Sequence, residues 1–390
     1  MNQRTETSQR SRQPLPQDAR RSTPLAIKLQ DRIARYGPIP VATYVNACQS
    51  DPDYGYYIRK QAIGAAADFV TAPEISQIFG ELIGIWCALV WQQLGEPEEV
   101  NLLELGPGRG TLMVDVLRTL AKIPKLSKGL RIHLLEINQT LKKQQRRILQ
   151  DEVNRLTHHE THLSLCAAAA DTTSAWIVIG NEFLDALGVR QLISQNGVWH
   201  ERMVTYVDHN RLEFGIGEAI KHSEPAWPSA EAQPDGQILE LMPSIGGVVT
   251  PLMCSLAQAS AVASLFIDYG YEQTTCGDTL QAVRNHTYEH PLTSPGEADL
   301  TAHVNFADAE RRLQEAGFLT YALLSQAEFL GRLGIVERTS RLMSVNPVRA
   351  AEIEVATSRL MSPNGMGSRF KVLAASSANV SPLPIFDLGA

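Results

Sequence analysis

Three glycines within five residues carry the first chemical signal of this chain. Residues 101–110 read NLLELGPGRG, where the apolar run Leu102-Leu103-Glu104-Leu105 gives way to Gly106, Gly108 and Gly110. A buried strand that ends in glycines and runs into a helix lets backbone approach a ligand, because glycine has no Cβ to hold it off. The helix predicted from Thr111 to Ala121 offers unpaired N–H groups at its start. A dinucleotide site asks for G-x-G-x-x-G. Here the third glycine comes one position early and Thr111 stands in its place, while Pro107 has no amide to offer a phosphate. The turn therefore tilts toward a nucleoside ligand that lacks a pyrophosphate.

Glu136 ends the second predicted strand, 26 residues after Gly110. An acid there can accept hydrogen bonds from two ribose hydroxyls. Nicotinamide enzymes use the same device, so Glu136 supports a nucleoside without choosing the cofactor. The third predicted strand ends in Asn181-Glu182-Phe183-Leu184-Asp185. Amide and carboxylate groups at that point suit planar nitrogen substrates. An arginine side chain stays protonated, with a pKa above about 12, so orienting it needs a fixed anion and paired charge-assisted bonds. Glu182 is the first choice for that clamp and Asp185 the second, with Asn181 beside them. The plainer alternative is that Asp185 caps a helix and Glu182 binds backbone.

Other chemical groupings are weaker. His158-His159-Glu160-Thr161-His162 lacks the H-E-x-x-H spacing of a helical metal site and reads as a solvated loop. His303, in Asp299-Leu-Thr-Ala-His303, is either a cleft residue or a structural one. No Ser-His-Asp or Cys-His arrangement emerges, and no metal is expected.

The elements that must position these groups alternate. Strands at 101–105, 131–136, 176–180 and 264–268 are separated by helical stretches, the pattern of a doubly wound parallel sheet. In such a sheet ligands sit beyond the carboxyl ends of the strands, where Gly106, Glu136, Asn181-Glu182 and Asp268-Tyr269 fall. A helical pattern from Pro24 to Ala47 is broken at Pro38 and Pro40. A second helix starts at Thr71 and runs to Leu94. The predicted division is a basic tail at 1–24, a helical segment at 25–95, an α/β domain at 96–376 and a loose end at 377–390. Within the domain lie an inserted β-rich lobe (190–250) and a helical addition (300–340).

The 390 residues carry a net charge of −7, with 44% apolar and 20% charged residues, ordinary for a globular enzyme. No run of about eighteen apolar residues spans a membrane. Five separated cysteines without a C-x-x-C motif fit a reducing compartment. Residues 1–24 carry a net +3 and no apolar h-region, so a disordered tail is expected, with a transit peptide as the alternative. A cytoplasmic setting is expected, or the mitochondrial matrix if the tail is a transit peptide. The acidic body disfavours nucleic acid and tolerates a basic protein partner.

Several motifs follow one another in a recognisable order: DPDYGYYIRK (51–60), DFVTAPEISQIFGELIG (68–84), LELGPGRGTLMVDVLR (103–118), LLEIN (134–138), NEFLDALGVRQL (181–192), FIDYG (266–270) and GEADLTAHVNF (296–306). Over roughly 25–376 the chain resembles the MidA family of S-adenosylmethionine (SAM)-dependent methyltransferases. That family includes the mitochondrial assembly factor of respiratory complex I that methylates a protein arginine. The resemblance implies a Rossmann-like class I methyltransferase sheet. SAM would lie against Glu104, Gly106, Gly108, Gly110 and Glu136, with the segment Asp68–Glu74, including Thr71 and Glu74, closing over it. Asn181, Glu182 and Asp185 would face an arginine of a partner protein. The sequence departs from the family pattern at Ala67, at Gly188 and in ELMPS (240–244). Two other functions stay open: a non-catalytic assembly scaffold that keeps SAM binding, and a dinucleotide oxidoreductase. A homodimer is left open.

Overall fold

The computed structural model describes residues 20–387, apart from 60–70, 170–173, 208–210, 222–223, 225, 243–244 and 381. Its centre is a mostly parallel sheet of strands β1 (Val100–Leu105), β2 (Leu130–Leu135), β3 (Leu156–His159), β4 (Ala175–Asn181), β5 (Ala261–Tyr271) and β6 (Phe370–Ser376). The spatial order is β6-β5-β4-β1-β2-β3, and only β6 runs antiparallel. β1 and β4 are buried along their whole length, which explains their continuous apolar runs: both faces of a parallel sheet are covered.

Alternate side chains feed two cores. Leu103, Leu105, Trp176, Val178 and Phe266 point to one face, packed with Leu25, Leu29, Val45, Leu252 and Phe306. Leu102, Ile132, Ile177, Ile179 and Leu265 point to the other, with Phe79, Leu82, Trp86, Val116 and Phe329. The first predicted helix is two, Pro24–Tyr36 and Val41–Ser50, because Ile39–Pro40 pairs with the strand Val198–Val207. The second is also two, Ala72–Ile75 and Gln77–Gln93. Extended Ser76 separates them and caps the longer one through its hydroxyl.

Residues 190–241 supply strands Arg190–Gln195, Val198–Val207, Arg211–Ala219 and Ile238–Leu241 of a separate antiparallel sheet with its own small core around Trp199 and Leu239. A three-stranded sheet over Gln281–Thr301 and the helix Ala350–Met361 have no counterpart among the predicted elements, and the helix Ile335–Val345 runs past the end of the predicted helical addition at 300–340. Two boundaries need correction. Arg20 hydrogen-bonds the Leu212 carbonyl and Thr293, and Thr23 is buried and caps the first helix; residues 1–19 lie outside the described part. The end is not loose up to Asp387: Leu383 and Phe386 are buried, and Phe386 packs on Tyr321 and Phe329.

Candidate active site

One cleft of about 640 Å³ opens beyond the carboxyl ends of the central strands. On one side β1 leaves the sheet through Gly106 (φ +63°), Gly108 (+53°) and Gly110 (+84°). Side chains rarely adopt this left-handed region. Space is short as well: a Cβ on Gly106 would sit 2.9 Å from the Phe183 ring, and one on Gly110 would press on Ile148 at 3.0 Å. Glu136 lies one residue past β2 and is nearly buried. Its Oε1 accepts the Asn138 N–H (2.8 Å) and its Oε2 the Gln145 amide (3.2 Å). Burial pushes its pKa up to about 6, and those donors restrain the rise. A carboxylate on the wall beside a bare glycine turn fits the ribose and amino-acid moieties of SAM. Gly106, Gly108 and Glu136 all line the cleft and would hold it.

The opposite side is acidic. Glu182 and Asp185 follow β4, and Asp299, on the strand Asp299–Thr301, joins them. Glu182 sits at φ +49°, a conformation costing roughly 1 kcal/mol or more for a side-chain-bearing residue. Its Oε1 accepts the Ala72 N–H (3.0 Å) and the Asn181 amide (3.3 Å). Burial raises its pKa to about 7. Asp185 Oδ2 accepts the Tyr269 hydroxyl at 2.6 Å, while Oδ1 is buried and unpaired. Burial lifts Asp185 to about 6, and the Tyr269 O–H opposes the rise. Beneath them, fully buried Asp268 accepts the backbone N–H groups of Leu184 (2.9 Å) and Asp185 (3.1 Å), pinning the loop to β5. Burial and the Asp185 charge hold Asp268 well above the usual carboxylate range. Tyr57 donates its hydroxyl to Asp299 (2.9 Å).

The helix Ala72–Ile75 ties the two sides together. Its first N–H meets Glu182, and Glu74 accepts from Arg109 (3.2 Å) and the Thr111 hydroxyl (2.5 Å).

Not every predicted residue reaches the cleft. Gly106, Gly108, Glu136, Thr71, Glu182 and Asp185 line it; Glu104, Gly110, Glu74 and Asn181 stand behind it. Glu104 points from β1 into the sheet interior, where burial and the nearby Glu136 charge raise its pKa to about 8. Glu74 is spent on Arg109 and Thr111. Asp68–Val70, expected to close over the cofactor, lie outside the described residues. His158 and His159 belong to strand β3, not to a solvated loop, and Glu160, Thr161 and His162 line the cleft. Exposed His303 packs edge-on against Tyr269 outside it. Asn46, Gln49 and Tyr57 are lining residues that the sequence reading passed over. Their only signal was polar character inside the helix Val41–Ser50 for the first two, and the aromatic stretch after it for Tyr57.

A parallel sheet with one antiparallel strand, a glycine turn and a ribose-placed acid define a SAM-dependent methyltransferase. A model of SAM-dependent methyltransferases matches residues 82–323. Protein arginine methyltransferase NDUFAF7, mitochondrial, of Danio rerio is 31% identical over 88% of this chain and 84% of its own. The human protein of that name is 30% identical over 90% and 83%. A Burkholderia thailandensis protein crystallised with S-adenosyl-homocysteine superposes with a TM-score of 0.79 at 25% identity, covering 93% of both chains. The chain belongs to the MidA family of SAM-dependent methyltransferases, and SAM is its cofactor. The two curated relatives are mitochondrial, so they lend the cytoplasmic expectation no support. Among the described residues no helix is long and apolar enough to cross a membrane.

Proposed function

We propose that this enzyme transfers a methyl group from SAM to a guanidino nitrogen of an arginine in a partner protein. The observation that carries the proposal is the state of two acids in one cleft. Asp185 is held through Oδ2 while its Oδ1 is buried and unpaired, and beside it the Ala72 and Asn181 donors to Glu182 both meet Oε1. The described lining holds Glu136, Glu160, Glu182, Asp185 and Asp299, and no lysine or arginine. A guanidinium brings five N–H donors in a planar fork and no acceptor, which matches two fixed carboxylates, one of them with an unpaired oxygen. The names of the curated relatives support the same acceptor and favour the mitochondrial alternative for its setting.

SAM, when bound, supplies a methyl group made electrophilic by its sulfonium. The chain's own part is placement and charge. Glu182 and Asp185 accept N–H groups of the arginine and fix the plane of the guanidinium. Asn181 and the Ala72 N–H fix Glu182, and Tyr269 fixes Asp185. As the N–CH₃ bond forms the methyl–sulfur bond breaks, leaving S-adenosyl-homocysteine, and the nitrogen sheds a proton. A carboxylate whose pKa lies near 7, as at Glu182, is suited to receive it. Positioning and electrostatics suffice, with no covalent enzyme intermediate.

The test is methyl-labelled SAM incubated with the enzyme and cell lysate, followed by mass spectrometry of labelled proteins. Label on an arginine nitrogen supports the proposal. Label confined to lysine, a carboxylate or a small molecule overturns it. SAM binding with no labelled product would favour a scaffold.

A further inference from the structure

We propose that Gln145 and His158 form a positioning pair for the cofactor site, locking the glycine turn to the ribose-binding acid before SAM arrives. Gln145 lies on the helix Gln139–Ile148, which Asn138 caps directly after β2, and it is fully buried. Its amide nitrogen donates to the Gly108 carbonyl at 2.6 Å and to Glu136 Oε2 at 3.2 Å. One side chain thus bridges two cofactor-side walls contributed by different strands. Its aliphatic stem fills the space beneath the turn: a Cβ on Gly110 would meet Gln145 Cγ at 3.3 Å.

An amide can occupy such a position in two orientations, and only one is useful. The Gly108 carbonyl and the Glu136 carboxylate both accept, so the nitrogen must face them. His158 completes that arrangement. Its Nε2 lies 3.0 Å from Gln145 Oε1, an atom that only accepts, so with the amide held this way the ring carries its proton on Nε2. Turning the amide over would set its oxygen against the Gly108 carbonyl and the Glu136 carboxylate. Burial, aided by Arg146 and Lys142, lowers the His158 pKa to about 4, and the ring stays neutral. A buried amide is costly unless its groups are paired; here the partners are the cofactor wall and His158. The HHETH segment therefore has a role on both flanks of the cleft: Glu160–His162 line it, and His158 supports it from behind.

The test is calorimetry of S-adenosyl-homocysteine binding to Gln145→Leu, His158→Phe, Glu136→Gln and the Gln145→Leu/Glu136→Gln double variant, with thermal melts as a fold control. Gln145→Leu is expected to weaken binding about tenfold in the wild-type background and less than threefold in the Glu136→Gln background, because it acts largely through that acid. The kinetic loss should fall on KM for SAM rather than on kcat. His158→Phe, which leaves the amide in place, should weaken binding at least threefold and still melt cooperatively, so it carries the test if Gln145→Leu does not fold. A Gln145→Leu loss below threefold, or equal losses in both backgrounds, overturns the proposal. So does wild-type affinity in His158→Phe.

Discussion

The two sides of the cleft are built by different means. The cofactor side is nearly local: Gly106–Gly110, Glu136 and Gln145 fall within 40 residues, on two neighbouring strands and their following helices. Its hydrogen bonds span short stretches of chain, such as Glu136 to Asn138 and Gln145. The acceptor side is assembled from afar. Asp185 meets Tyr269 and Tyr57 meets Asp299, 84 and 242 residues apart in sequence. Charge differs as well. The cofactor side has one principal acid on its wall, with a donor on each oxygen, whereas the acceptor side gathers Glu182, Asp185 and Asp268 in one buried group in which Asp185 Oδ1 has no donor.

That contrast can be broken by single substitutions. The largest effect on transfer away from Glu182 is expected at Asp185. Asp185→Asn removes a charge-assisted contact worth about 1.5–3 kcal/mol, so kcat should fall by roughly 10- to 100-fold. Calorimetry should show the cofactor Kd unchanged; a matching loss in cofactor affinity would merge the two sides. Glu136→Gln should do the converse. SAM affinity should weaken by about tenfold, for loss of an anionic acceptor to two hydroxyls, while kcat at saturating cofactor stays within a few-fold.

A subtler test uses pH. Glu182 and Asp185 must be anionic to hold a guanidinium, and their pKa values lie near 7 and 6. Activity under subsaturating acceptor should therefore rise as pH increases through that range. Tyr269→Phe deletes the hydroxyl that keeps Asp185 from rising further, so the acid limb should move to higher pH, with about a tenfold loss below it. An unmoved limb would show that Asp185 does not titrate in the transfer step. The smallest effect on transfer, under threefold, is expected at Glu104, which stands behind the wall. Its signature is stability. The folded pKa near 8 lies above the unfolded value near 4.5. The folded form thus keeps a proton that the unfolded chain loses, and stability falls as pH rises from about 4.5 to 8. Glu104→Gln should flatten that decline in thermal melts at pH 5 to 9.

The same contrast governs what could be read from the sequence. The strands, the glycine turn and Glu136 were legible because strand ends and glycine spacing are local properties. Asn181, Glu182 and Asp185 were legible as a polar strand end, although their pinning by Asp268 and Ala72 was not. Tyr57 and Asp299 were missed as partners because nothing in either segment announces a neighbour so distant. His158 was read as solvated because β3 is a short edge strand of four residues with little apolar alternation. Glu74 and Glu104 were credited with cofactor contacts, yet Arg109 and Thr111 occupy the first and strand direction turns the second inward.

The central claim is that Glu182 acts on the acceptor and not on the cofactor. The most direct measurement pairs S-adenosyl-homocysteine calorimetry with methyl transfer to an identified protein substrate on one preparation of Glu182→Gln. Cofactor affinity within twofold of wild type, together with a transfer rate reduced about 100-fold, is the predicted result. Full transfer activity in that variant would contradict the account.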